Sequence, residues 1–170
     1  SLAQKVANET QALLSKRTCE LLSDAKKAPA ENLSTLLESC WPLNPITALL
    51  LGPISKRSYG QNQRSIFNFL ASGEPLALRD FLDQTEVGSD IMYDPSNLWD
   101  YLDVNWGSSI AVSSDSHHFA NAKEVLARLE ILPDAKLEHT KAIKVISALD
   151  LTAQVTGTTP SHRALQIALN

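Results

Sequence analysis

Apolar residues recur at helical spacing along most of the chain. Leu2, Val6, Leu13, Leu14, Leu21 and Leu22, with Lys, Glu and Gln between them, predict a long amphipathic helix from residue 2 to about 27. Lys26-Lys27 and Pro29 end it. Leu33, Leu36 and Leu37 predict a second helix over about 30 to 40. The Trp41-Pro42-Leu43-Asn44-Pro45 segment cannot be helical throughout, because each proline pushes its predecessor into extended geometry. Asn44 then caps, and Pro45 opens, a helix through Ile46 to Leu51 that Pro53 kinks or ends. After the break at Ser58-Tyr59-Gly60, a helix over about 61 to 71 closes at Ser72-Gly73. Pro75 starts a short helix carrying Leu76, Leu78, Phe81 and Leu82, and residues 85 to 94 form a polar loop. Asp94-Pro95-Ser96-Asn97 opens a helix bearing Leu98, Trp99, Tyr101, Leu102 and Trp106, punctuated by Gly107-Ser108-Ser109. The last helices are predicted over about 116 to 131, 136 to 149 and 160 to 169, with Thr159 as the final cap and Pro160 at the first position.

Nowhere does strand alternation coincide with a tight Asn-Gly or Asp-Gly turn. The expected fold is therefore all-α, an irregular multi-helix bundle of about eight or nine helices. No repeat at a fixed period appears, which weighs against a solenoid. The loop at 85 to 94 is the natural boundary between helical subdomains at 1–84 and 95–170. A length of 170 residues suits one domain, or two small subdomains sharing a core.

Composition narrows the function classes. Hydrophobic residues are 44% and charged residues 20%, which argues against disorder. The net charge of -4 gives no general drive towards nucleic acid or anionic lipid. The longest apolar run, Ala48 to Leu51, is far below the roughly 20 residues of a membrane span, and no signal peptide is visible. The chain opens inside a helical pattern without an initiating methionine, as expected for an excised piece of a longer protein. Cys19 and Cys40 lack metal or redox spacing and read as buried free thiols, with a reducing cytoplasm as the expected setting.

Several chemistries can be weighed residue by residue. No Walker-type phosphate loop or dinucleotide fingerprint occurs. His117 and His118 are adjacent, so on a helix they diverge and chelate poorly; His139 and His162 are isolated, and no metal site is expected. No nucleophile elbow appears, and Ser113-Ser114-Asp115-Ser116 reads as a polar turn and cap, so no catalytic residues are assigned. Trp99 and Trp106 lie seven residues apart on one helix face and read as core. A base-stacking surface is the sharper alternative, opposed by Asp94, Asp100 and Asp103. The C-terminal pair of helices could begin a helix-turn-helix, but the second of them carries only His162 and Arg163 as basic residues and the connection is long.

The one dense basic patch is Lys56, Arg57 and Arg64, around Tyr59 and the Gln61-Asn62-Gln63 amides. Lys56 and Arg57 near a helix C-terminus complement its dipole. Arg64 does not, because it falls in the first turn of the next helix, where a cation is disfavoured. It needs an anion: a phosphate held by its planar fork, or a carboxylate such as Glu74 or Asp80.

Three stretches together carry a resemblance. They are Trp41 to Leu51 followed by Gly60-Gln61-Asn62-Gln63-Arg64-Ser65-Ile66-Phe67-Asn68-Phe69-Leu70 through Pro75; Leu98-Trp99-Asp100-Tyr101-Leu102; and Lys141 to Leu149. Their order and spacing resemble the region just C-terminal to the nucleotide-binding core of large bacterial AAA+-like P-loop ATPases, from about residue 35 onward. The resemblance implies a helical lid at 1–84 leading into a linker or partial winged-helix-like segment at 95–170. It also implies ATP and Mg2+ in the parent protein, an adjacent ATPase core as partner, and Arg64 as a sensor of the γ-phosphate, with Lys56 and Arg57 assisting. The rival expectation is a helical protein–protein interaction module without nucleotide; a nucleic-acid-binding helix-turn-helix fragment is the third.

Overall fold

The structure, a computed structural model, describes residues 2–24, 31–57, 64–86 and 91–169, with side chains throughout except at positions 2, 3, 64 and 65. Among the described residues there are nine helices and no strand. They are α1 (Leu2–Asp24), α2 (Leu33–Glu38), α3 (Pro45–Ser55), α4 (Arg64–Ala71), α5 (Leu78–Gln84), α6 (Pro95–Ile110), α7 (Ser116–Ile131), α8 (Leu137–Thr156) and α9 (His162–Ala168). The expected all-α bundle is what forms. None of these helices is long and apolar enough to cross a membrane.

α3 lies at the centre, against α1, α2, α4, α6, α8 and α9. Ile46 and Leu50 are fully buried, and Leu51 and Ile54 nearly so, as expected for a helix apolar on most of its faces. Its start follows the local chemistry: the Asn44 side chain accepts from Ile46 N at 2.9 Å, and Pro45 takes a position that needs no donor. Pro53 sits inside α3 without ending it before Ser55. α6 starts on a full capping box, with Asp94 accepting from Ser96 N and Asn97 N while Asn97 accepts from Asp94 N. The segments preceding α3 and α6 meet in a single parallel bridge, with Asn44 N donating to Tyr93 O and Tyr93 N to Pro42 O.

The two expected subdomains share one hydrophobic core, which runs from Leu14 of α1 to Ala168 of α9. The Trp99 and Phe119 rings pack tilted at 38° with centroids 5.3 Å apart, and Phe69 meets Tyr93 and Tyr101 edge-on. The aromatic group of α6 is therefore core, and Trp99 is not available for base stacking.

Several boundaries differ from expectation. α1 turns Ala7, Gln11, Leu14, Ser15, Thr18 and Leu22 inward while Val6 and Leu13 stay exposed, and Gln11 Nε2 on the inward face donates to Leu37 O and Leu43 O, at 2.9 and 3.1 Å. α2 is shorter than expected, and the predicted end of α1 beyond Asp24 lies outside the described residues. Pro75 does not open α5, which begins at Leu78 after Leu76 adopts a left-handed backbone at φ 62°. Gly107 does not interrupt α6. A side chain there would rest in ordinary contact with Phe119 Cζ at 3.5 Å and press at 3.2 Å only on the end of the Asp103 side chain. α8 runs on to Thr156 and ends on left-handed Gly157; Ser161, not Thr159, caps α9 by accepting from Ala164 N. Cys19 and Cys40 are free, but half-buried instead of buried.

Two stability predictions follow from this packing. At Leu76, Ala and Gly variants lose the same side-chain packing, but only Gly tolerates positive φ. Leu76→Gly is expected to exceed Leu76→Ala in unfolding free energy by about 1 kcal/mol, reversing the usual order; urea denaturation measures it. Burial is the main force holding the Tyr93 and Tyr101 phenols neutral, above the ordinary tyrosine range. Nearby Tyr101 and carboxylates add to this at Tyr93, and the Glu74 hydrogen bond adds at Tyr101. The raised folded value means their contribution is present below pH of about 10 and is lost above it, as the unfolded phenols ionise first. Stability should fall by about 1.4 kcal/mol per pH unit per tyrosine there, and Tyr93→Phe should remove one such share of the slope.

Candidate functional site

The basic patch expected to face phosphate is divided by the fold. Lys56 is the C-cap of α3, exposed and without an ion pair among the described residues. Arg57 follows it, with its N–H on Ile54 O at 3.1 Å. Its side chain turns inward: Nη1 donates to both carboxylate oxygens of Asp115, and Nη2 donates to Leu151 O at 2.7 Å. Only 19% of the Arg57 side chain and 11% of the Asp115 side chain are exposed, so this is a largely buried, hydrogen-bonded pair.

Arg57, expected beside Arg64 as a phosphate-facing cation, is thus committed within its own fold. Its fork is filled by a carboxylate and a backbone carbonyl, and exposing it would take the guanidinium away from a residue that is only 7% accessible. Asp115 occupies the N-cap position of α7 without a side-chain capping bond, so its charge also sits at the positive end of that helix. The pair joins the C-terminal end of α3 to the start of α7 and the middle of α8.

Arg64 belongs to α4; its side chain, and the predicted break at Ser58-Tyr59-Gly60 with the helix start over 61 to 63, lie outside the described residues. The two carboxylates expected to compete for it already accept hydrogen bonds. Glu74 takes Tyr101 Oη at 2.7 Å and Asn68 Nδ2 at 3.1 Å, and Asp80 takes Leu76 N and Gln84 Nε2 at 2.8 and 2.9 Å. Phe67, one helical turn after position 64, is 68% exposed, whereas Phe69 on the opposite side is buried.

The remaining candidate chemistry does not assemble. His118 Nδ1 lies 2.7 Å from Asp150 Oδ2 in a groove that also holds Ser147. The Ser147 hydroxyl donates to Ile143 O at 2.8 Å and is not aimed at the imidazole, so no nucleophile is activated. His117 pairs with Asn121, and among the described residues no group of three or more metal-ligating side chains converges. In the supposed helix-turn-helix, Arg163 of the seven-residue α9 is held by Glu20 and Asp24 of α1. That leaves His162 as the one basic residue of α9 without an ion pair among the described residues.

Breaking the Arg57–Asp115 pair measures its structural role. Arg57→Ala and Asp115→Ala should each lower the unfolding free energy by about 3 kcal/mol, and the double variant should cost about 2 kcal/mol less than the sum. A loss under about 0.5 kcal/mol in urea titrations would mean that Arg57 is a surface residue.

Compared with protein-family models, curated proteins and solved structures, the chain matches none of them.

Proposed function

We propose that this chain is a non-catalytic helical lid and linker of a multidomain P-loop ATPase, closing through α4 over nucleotide held by a neighbouring core domain. The observation that carries this reading is the pairing on α4 of two features that are each unfavourable alone. By the sequence a cation falls in the first turn of this helix, against its dipole, and an aromatic ring one turn later is 68% exposed. A surface that is apolar and also presents an anion satisfies both together. A nucleotide-loaded domain has that character, with the γ-phosphate facing Arg64 and protein covering Phe67.

The internal geometry suits a relay. α4 lies against α3, and Arg57 ties the end of α3 to α7 and α8. Closure on α4 would then be felt along the C-terminal helices as one body. In this reading Arg64 senses phosphate, Lys56 adds a diffuse positive charge, and Arg57 is a positioning residue. ATP and Mg2+ belong to the core domain, and the cytoplasm is the compartment that suits both the nucleotide and the two free thiols. Phe67 equally favours a second reading, a protein-docking helix with no nucleotide involved.

In the full-length protein, Arg64→Ala should reduce ATP turnover about a hundredfold. Phe67→Ser should weaken the coupling, and Lys56→Ala should cost only a few-fold. Turnover within twofold of wild type in Arg64→Ala removes the sensing role. Partner binding that is insensitive to ATP but lost in Phe67→Ser would establish the second reading instead.

A further inference from the structure

We propose that the tip of the α7–α8 hairpin is a docking surface for an amphipathic helical segment of a partner protein, one whose apolar residues are flanked by lysine or arginine. α7 and α8 pack side by side and are joined by a tight turn in which Leu132 N donates to Leu129 O and Ala135 N to Leu132 O, both at 3.1 Å. Ile131, Leu132 and Leu137 sit at this tip and are 82%, 57% and 70% exposed. They are among the most exposed large apolar side chains of the described residues, and they fall within one seven-residue stretch. A cluster of this kind at a rigid tip marks a contact surface more than chance does.

The charges around it say what kind of contact. The carboxylates elsewhere between Asp94 and Asp150 each face a lysine, arginine or histidine at ion-pair distance. Glu130, Asp134 and Glu138, all exposed at the tip, have no ion pair among the described residues. Lys136 is the only cation between them, and Arg128, one turn back, is held by Glu124. The tip therefore combines exposed apolar side chains with a net negative charge, and its complement is an apolar ridge bordered by cations. A second copy meeting tip to tip would set acidic rim against acidic rim, and an anionic membrane would be repelled.

The probe is a fluorescent helical peptide of about four turns built from leucine and lysine, compared with a leucine and glutamate counterpart, against the whole chain by anisotropy. The leucine–lysine peptide should bind saturably, and weaken about tenfold in Ile131→Ser/Leu137→Ser and again with added salt. In the charge-reversed variant Glu130→Lys/Asp134→Lys/Glu138→Lys the preference should switch to the leucine–glutamate peptide. Circular dichroism and urea midpoints matching wild type confirm that these exposed substitutions leave the fold intact. Absence of saturable binding, or binding indifferent to these substitutions, overturns the proposal. So does self-association in sedimentation that Ile131→Ser abolishes, which would assign the tip to a second copy.

Discussion

The burial of α3 on almost every side constrains everything else in this chain. A helix that is apolar around most of its circumference cannot lie on a surface, so it must be surrounded. Each fully buried aliphatic side chain contributes about 1.5–3 kcal/mol relative to exposure, and Ile46, Leu50, Leu51 and Ile54 lie within three turns. Helices from both ends of the chain supply the enclosure. Asn44 marks the logic at the entrance: its carbonyl oxygen caps α3 while its amide donates to Ile167 O of α9 at 2.9 Å. One side chain thus both starts the central helix and fastens the C-terminal one to it. The two halves of the sequence form one core because neither could enclose α3 alone.

What could be read in advance was local. Asn44-Pro45 and Asp94-Pro95-Ser96-Asn97 specify helix starts through bonds spanning two or three residues, and both form as expected. Misreadings arose where tertiary packing overrode a local signal. Gly107 looked like a stop, yet α6 runs through it to Ile110. Thr159-Pro160 looked like a cap, yet the backbone becomes helical only after Ser161. On α1, leucine periodicity suggested a stripe through Val6 and Leu13. The face that turns inward is instead the one whose Gln11 can satisfy two carbonyls beside α2 and α3.

The candidate site shows the same division more sharply. That Arg64 lies in a helix was visible from spacing. That Arg57 belongs to Asp115 was not, since 58 residues separate them and Asp115 itself resembled an ordinary turn residue. Adjacent cations in a sequence invite a shared role; here the fold separates them. Lys56 remains outside while Arg57 is turned inward, because α7 and α8 bring a carboxylate and a carbonyl to the one position its fork can reach.

That separation strengthens the reading of α4 as the contact element. A sensing surface needs a rigid support, or the energy of contact is dissipated in local rearrangement. α3 is held at its start by Asn44 on α9 and at its end by Arg57 on α7 and α8, so it has little freedom to move independently of the bundle. α4, resting on α3 with Phe67 facing solvent, is thus backed by an anchored helix. A cation at Arg57 that also faced outward would add charge to the surface but would loosen the support behind it. Of the two arrangements, the inward arginine is the one that ties the end of α3 to both α7 and α8.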